Sequence, residues 1–251
     1  MSQSLARALQ ILGELGDGSR SLDQLAETLD VHKTTVLRLL RTLESERFVQ
    51  RDQHHRFSLG SRLFELGSAS LEQHAIRDAA MPHLQRLARD SGGQAVHLAA
   101  YENGNAVYIA KIESTSSVRM YSRVGLPAPL HATAVGKVLV CELPEGRLEQ
   151  ALHATTFEPF TRRTITDAAT YRKVLTTVRS QGWAEDAAEH EDFINCIAAP
   201  VRDATGRIMA AVSISVPDVI LSHDEVHGLL PRLLETTAAI EADWTHTSER
   251  T

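Results

Sequence analysis

The residues with evident chemistry fall into two groups. Ser213 and Ser215 lie in the run Ala211-Val212-Ser213-Ile214-Ser215-Val216-Pro217. In a strand, alternation puts both hydroxyls on one face and Val212, Ile214 and Val216 on the other. Two aligned hydroxyls can hold a carboxylate; they can equally bond water on an ordinary strand. Thr34, Arg38 and Arg41 are spaced i, i+4 and i+7, which places them on one face of a helix. Arg matches guanine O6 and N7, and a Thr methyl packs on thymine, so this face has the chemistry of a major-groove reader.

Arrangements that evoke catalysis fall short. Gly136-Lys137 hints at a phosphate loop, but His131 stands where its first Gly belongs and Val138 where its Ser/Thr belongs. Cys196 and His190 offer a thiol and an imidazole, yet a buried or ligand-lining Cys is commoner than a nucleophile. Asp186, Glu189, His190, Glu191 and Asp192 offer metal-binding atoms without a second cluster at recognisable spacing. No catalytic residue and no cofactor is expected; no metal ligands are assigned, and metal binding stays open.

The elements that carry Thr34, Arg38 and Arg41 can be read from periodicity. Leu5, Ala8, Leu9, Leu12 and Leu15 recur at helical spacing until Gly16-Asp17-Gly18. Ser21-x-x-Gln24 reads as a capping box opening a short helix over Leu22, Leu25, Ala26 and Leu29. Asp30 is expected to take the left-handed turn before a third helix from about Lys33 to Glu46, packed through Val36, Leu39, Leu40 and Leu43. Phe48 to Gly60 reads as strand, turn, strand, with Arg51, His54, His55 and Arg56 at the tip. Together these spell a winged helix-turn-helix. Arg47 can act as no more than a cation at a helix end. The alternative is a protein-interaction module with a solvated basic face.

Charge distribution favours DNA. The 251-residue chain carries a net charge of -6, yet Val31 to Arg56 holds six Lys/Arg against three acids. An acidic body with one basic edge presents that edge to phosphates. The length allows one large domain or two modest ones. No run approaches the roughly 20 apolar residues that span a bilayer, the start lacks a signal-peptide pattern, and Cys141 and Cys196 do not make a disulfide scaffold, so a cytoplasmic location is expected.

Residues 61–90 read as a helical connector without a flexible linker, with Pro82 expected to start or kink a helix. Beyond it, Gln94 to Tyr101 and Ala106 to Glu113 form a hairpin across Asn103-Gly104. Val118 to Ser122 reads as a further strand, and Asn195 to Arg202 with Arg207 to Val216 as a second hairpin. Helical patterns cover about Ala134 to Cys141, Pro144 to Leu152, Asp167 to Ser180, and Ser222 to Trp244. Hairpins mixed with helices give an α+β class with a mainly antiparallel sheet flanked by helices.

Ser4-Leu5-Ala6-Arg7-Ala8-Leu9-Gln10-Ile11-Leu12, Lys33-Thr34-Thr35-Val36-Leu37-Arg38-Leu39-Leu40-Arg41-Thr42-Leu43-Glu44 and Phe57-Ser58-Leu59-Gly60 resemble the isocitrate-lyase-regulator (IclR-like) family. Gly125 to Lys137, Gly182 to Glu191, Asn195 to Val201 and Ser213-Ile214-Ser215 extend the resemblance over nearly the whole chain. It departs at Asp30, where the family often has Gly. The resemblance implies a transcriptional regulator whose residues 1–60 bind a double-stranded DNA operator, joined through 61–90 to a GAF-like domain, 91–251, that binds a small, carboxylate-bearing effector. The DNA-binding residues would be Lys33, Thr34, Thr35, Arg38, Arg41, Arg51, His54, His55 and Arg56. By motif position, the effector residues would be Met120, Ala128, Ala134, Val135, Asp186, Ile194, Cys196, Ser213 and Ser215. A homo-oligomer, dimer or dimer of dimers, and no membrane partner are expected. The alternative is a ligand-binding enzyme or adaptor with a vestigial helix-turn-helix.

Overall fold

The computed structural model describes residues 2–72, 75–118 and 120–248. The chain divides into two compact units, Met1–Gln73 and His74–Thr251.

In the first unit, α1 (Gln3–Gly16) turns Ile11 and Leu15 inward. The capping box forms ahead of α2 (Leu22–Thr28): Gln24 N–H donates to Ser21 Oγ at 3.2 Å, and Ser21 N–H to Gln24 Oε1 at 2.9 Å. Asp30 adopts φ 50°, the left-handed turn that lets α3 (Lys33–Ser45) follow at once. The Nδ1 of His32 caps α3 by accepting from Thr34 N–H at 3.3 Å. Arg47, at φ 61°, ends the helical path. β1 (Val49–Arg51) and β2 (Phe57–Leu59) pair antiparallel with Val49 opposite Leu59. Gly60 closes the wing: its N–H donates to the Phe48 carbonyl at 2.8 Å, and a Cβ there would stand 2.2 Å from the Arg47 carbonyl oxygen. Ile11, Leu15, Leu25, Val36, Leu40, Val49 and Phe57 make one small core, each such side chain worth about 1.5–3 kcal/mol on burial. α4 (Arg62–Glu72) buries no residue; Glu65 on it pairs with Arg47 at 3.0 Å.

The second unit starts with α5 (Ala75–Asp90), β3 (Ala95–Glu102) and β4 (Asn105–Ile112). β5 (Pro127–Ala128) precedes α6 (Ala134–Val140), α7 (Glu145–Ala154) and α8 (Ala168–Gln181). β6 (Ala184–Ala187), β7 (Ile194–Arg202), β8 (Ile208–Pro217), α9 (His223–His227) and α10 (Leu230–Ser248) complete it. Asn103 and Gly104, at φ 48° and 91°, make the β3–β4 turn that their side chains permit. The sheet order is β5-β4-β3-β8-β7-β6, and every neighbouring pair is antiparallel. Val96, Leu98, Ile197, Val212, Ile214 and Val216 face α5 and α10 across one core. The other face is lined with small residues, Ala99, Ala198 and Ala211, against α6, α7 and α8. The fold is α+β, a helix-turn-helix followed by an antiparallel sheet with helices on both faces.

Two expectations are corrected. Val118, Met120, Tyr121 and Ser122 form no strand, while Arg119 lies outside the described residues; the edge is taken by β5, paired as Ala106–Ala128 and Val107–Pro127. The helix expected from Ser222 to Trp244 breaks at Gly228-Leu229 into α9 and α10, where Pro231 lacks an N–H to continue the ladder. Of the two roles expected for Pro82, starting a helix is excluded, because it lies inside α5. The stretch read as a helical connector, 61–90, carries two helices. α4 belongs to the first unit, whereas Ile76, Ala80, Leu84, Leu87 and Ala88 of α5 are core residues of the second; Gln73 and His74 lie outside the described residues.

Candidate effector cavity and DNA-reading surface

A cavity of about 330 Å³ opens on the α6 side of the sheet. Strand register builds its floor. Ser213 lies opposite His97 of β3, Ser215 opposite Cys196 of β7, and Cys196 opposite Asp186 of β6. Both serines therefore face the cavity while Val212, Ile214 and Val216 enter the α5/α10 core.

His97 joins the pair. Its Nδ1 stands 3.4 Å from each serine hydroxyl oxygen, and its Nε2 is 2.8 Å from Ser122 Oγ. Burial, with the Lys111 charge nearby, drops its pKa to about 3. The ring is thus neutral, one nitrogen donating and the other accepting. When Ser122 donates to Nε2, Nδ1–H faces the serine oxygens and both serine protons are free for a ligand oxygen. Burial likewise pushes the Tyr108 hydroxyl, whose ring lies 5.0 Å from that of His97, far above its usual range. The Cys196 thiol is raised by burial and by Asp186, and donates to Ser215 Oγ at 3.1 Å. A thiol held protonated in this way is no nucleophile.

Asp186 sits at the far end of the row, buried. Desolvation raises its carboxyl to about 7, opposed by the N–H of Glu189, which donates to Oδ1 at 2.7 Å, and by Lys137. Lys137 is 1% exposed; its ammonium donates to Glu189 Oε1 at 2.5 Å and to the Glu185 carbonyl at 2.7 Å, tying α6 to β6 and the loop beyond. Desolvation also raises the Glu189 carboxyl. Gly136-Lys137 is therefore a packing device. A Cβ on Gly136 would stand 2.6 Å from the Leu130 carbonyl oxygen, which also accepts from the Tyr171 hydroxyl at 2.5 Å. Thr133 caps α6 by accepting from Gly136 N–H at 3.1 Å.

Of the residues expected at the effector site, Met120, Ala134, Val135, Asp186, Ile194, Cys196, Ser213 and Ser215 all line this cavity. Ala128 does not; it is buried in the core of α6–α8, and its neighbours Pro127 and Pro129 line the cavity instead. Sequence reading missed His97, Tyr108 and Ser122. A His within the apolar run Ala95-Val96-His97-Leu98-Ala99 was the available signal for the first.

In the first unit, Thr34, Arg38 and Arg41 are exposed along α3, and Thr35 is half-buried. Lys33 pairs with Asp23 at 2.9 Å. On the wing, Arg51, His54 and His55 are exposed, with the Arg51 guanidinium 5.5 Å over the Phe57 ring. Arg56 differs: its guanidinium donates to Ser19 Oγ at 3.0 Å and to the Ser19 carbonyl at 2.5 Å, so it braces the wing root.

Both parts of the chain resemble known proteins. The family described as bacterial transcriptional regulator IclR C-terminal matches residues 68–242, and the IclR helix-turn-helix domain matches residues 4–53. The chain is 36% identical over 238 residues to the HTH-type transcriptional regulator KdgR of Escherichia coli K12, covering 93% of this chain and 88% of that one. It is 34% identical over 226 residues to the HTH-type transcriptional repressor AllR of the same strain, covering 89% and 83%. The crystal structure of Thermotoga maritima IclR superposes with a TM-score of 0.80 at 30% identity, covering 98% of this chain and 100% of that one. An IclR homolog from Microbacterium hydrocarbonoxydans, complexed with 4-hydroxybenzoate, shares the fold at a TM-score of 0.81 and 22% identity, over 96% and 99% of the two chains. The chain belongs to the IclR family of bacterial transcriptional regulators.

Proposed function

We propose that this regulator reads a double-stranded DNA operator and is controlled by a small, carboxylate-bearing effector bound in the cavity floored by Ser213 and Ser215. The observation that carries the reading is the arrangement of two hydroxyls around one neutral, buried imidazole at the floor of a cavity of about 330 Å³. That volume suits a metabolite-sized ligand. The hydroxyls donate to the carboxylate, while Asp186, whose Oδ1 already accepts from Glu189 and His190, offers its other oxygen to a ligand hydroxyl or amine. The solved family fold with 4-hydroxybenzoate supports a ligand with a carboxylate at one end and a hydroxyl at the other.

The α3 face with Lys33, Thr34, Thr35, Arg38 and Arg41 enters the major groove, and the wing places Arg51, His54 and His55 on the backbone. Arg56 contributes by holding the wing rather than by a free phosphate contact. Residues 1–60 are the reader and 91–251 the sensor, with 61–90 between them and α5 part of the sensor core. A homo-oligomer, dimer or dimer of dimers, pairs half-sites of a palindromic operator. The protein works in the cytoplasm; no described helix is long and apolar enough to cross a membrane. It acts without catalysis, as the named relatives are regulators.

A mobility-shift assay on the region upstream of its own gene, with and without small acids ranked by thermal shift, tests this reading. A sequence-specific shift that one such acid changes is expected. A ligand that binds both DNA-competent and incompetent states equally would shift nothing, and the absence of any specific complex would support the adaptor alternative.

A further inference from the structure

β6 has two faces. Asp186 points into the cavity, and Glu185, one residue earlier, points away from it. There Glu185 meets α9. His223 and His227 are spaced i, i+4 on that single helical turn, so their rings project to the same side. His223 Nε2 is 3.1 Å and His227 Nε2 is 2.7 Å from the same Glu185 oxygen, Oε2. The two imidazole centroids are 4.4 Å apart, and the three ligating atoms lie within 4.8 Å of one another. Among the described residues, this is the one such convergence of His, Cys and carboxylate atoms.

We propose that Glu185, His223 and His227 form a binding site for a divalent transition-metal ion of the zinc class. Tetrahedral zinc at about 2.0–2.1 Å from N and O ligands sets neighbouring ligand atoms roughly 3.3 Å apart; the two His–Glu185 separations, 3.1 and 2.7 Å, lie close to that, and the two imidazole nitrogens, within 4.8 Å of each other, turn in to close on the ion. Imidazole with one carboxylate suits zinc, whereas calcium and magnesium prefer all-oxygen sets. The three side chains are 35–41% exposed, which leaves the fourth position to water and gives the ion an entry path. The surroundings match an outer shell. The Trp183 ring packs edge-on against His227 at 5.2 Å. Asp224 Oδ1 stands 3.8 Å from His223 Nδ1, the ring nitrogen on the other side from Glu185. Glu225 is excluded as a ligand because its carboxylate accepts from Ser222 in the α9 capping box.

The site has a definite consequence. β6 is an edge strand of the six-stranded sheet, and the ion clips it to α9. Through the Glu185 carbonyl, which accepts from Lys137, the clip also reaches α6.

The test is zinc titration by calorimetry on the full chain, with cobalt absorption as a second readout of coordination geometry. Wild type binds one zinc per chain at this site, cobalt gives the intense visible bands of a tetrahedral complex, and zinc raises the melting temperature. The H223A/H227A variant loses that equivalent. E185Q, which keeps the shape, weakens it beyond the roughly 10- to 100-fold that outer-shell changes cost. Circular dichroism on metal-free protein checks that both variants fold; should H223A/H227A fail, H227Q replaces it and must show the same loss. No zinc binding by wild type, or equal stoichiometry and affinity in folded variants, overturns the proposal and leaves the three residues as a hydrogen-bonded cluster.

Discussion

The two units place their polar groups in opposite ways. In the first, Thr34, Arg38, Arg41 and Arg51 stand in solvent around a small apolar core. In the second lie all the buried polar or charged side chains among the described residues, from Ser91 onward, including His97, Lys137, Asp186, Glu189, Ser213 and Ser215. A surface that must find a polyanion keeps its cations hydrated and free until contact. A cavity that must select one small molecule holds its polar groups desolvated and pre-aimed, at a cost met by pairing them with each other. Stability of the second unit should therefore respond to pH and to charge deletion, and that of the first should respond weakly.

The largest effect belongs to His97. Its pKa is lowered from 6.5 to about 3, so the neutral ring favours the folded state fully above pH 6.5. That contribution is lost progressively as pH falls from 6.5 toward 3. At 1.36 kcal/mol per unit, the loss is on the order of 5 kcal/mol. Denaturant titrations between pH 4 and 7 should show this slope in wild type and a flatter one in H97Q. Equal slopes would remove His97 from the buried titrating groups.

Next comes Lys137. K137A leaves Glu189 buried without its partner, a change that typically costs about 3–5 kcal/mol. Amide exchange should accelerate in α6 and β6 to β8 and stay unchanged in α1 to α3. Faster exchange in both units would contradict their separate cores. The reader is sharpened by R38A and R41A, each expected to cost about 1–3 kcal/mol in operator affinity while leaving melting within about 0.5 kcal/mol. Smallest is R51A, which should weaken all DNA sequences alike and flatten the salt dependence by about 0.9. R56A instead should destabilise the wing through its lost Ser19 bonds, and a pure salt-slope effect would return it to the phosphate contacts.

The same contrast explains what the sequence could reveal. The capping box at Ser21 and Gln24, the left-handed Asp30 and the α3 face are local patterns, complete within a few residues. The hairpins across Asn103-Gly104 and Asp203 to Gly206 are equally local. The cavity is not local: His97 meets Ser213 and Ser215 across 116 and 118 residues of chain, and nothing in their spacing announces it. Glu185 with His223 and His227 was hidden for the same reason. Ala128 was misplaced because one residue of register in a two-residue strand exchanges the core for the cavity. Gly228 and Pro231 explain why the last periodic run is two helices, a break that apolar spacing alone does not mark.

The central claim is that the serine pair holds the effector's carboxylate. Calorimetry with the acid that most stabilises wild type in a thermal-shift screen tests it most directly, on wild type and on the S213A/S215A variant. The account predicts that the variant still retards operator DNA but binds the acid at least about tenfold more weakly, the loss of about 1.4 kcal/mol expected when hydrogen bonds to a charged group are removed. Unchanged affinity in the folded variant would contradict it and make Ser213 and Ser215 ordinary hydroxyls on a packed strand.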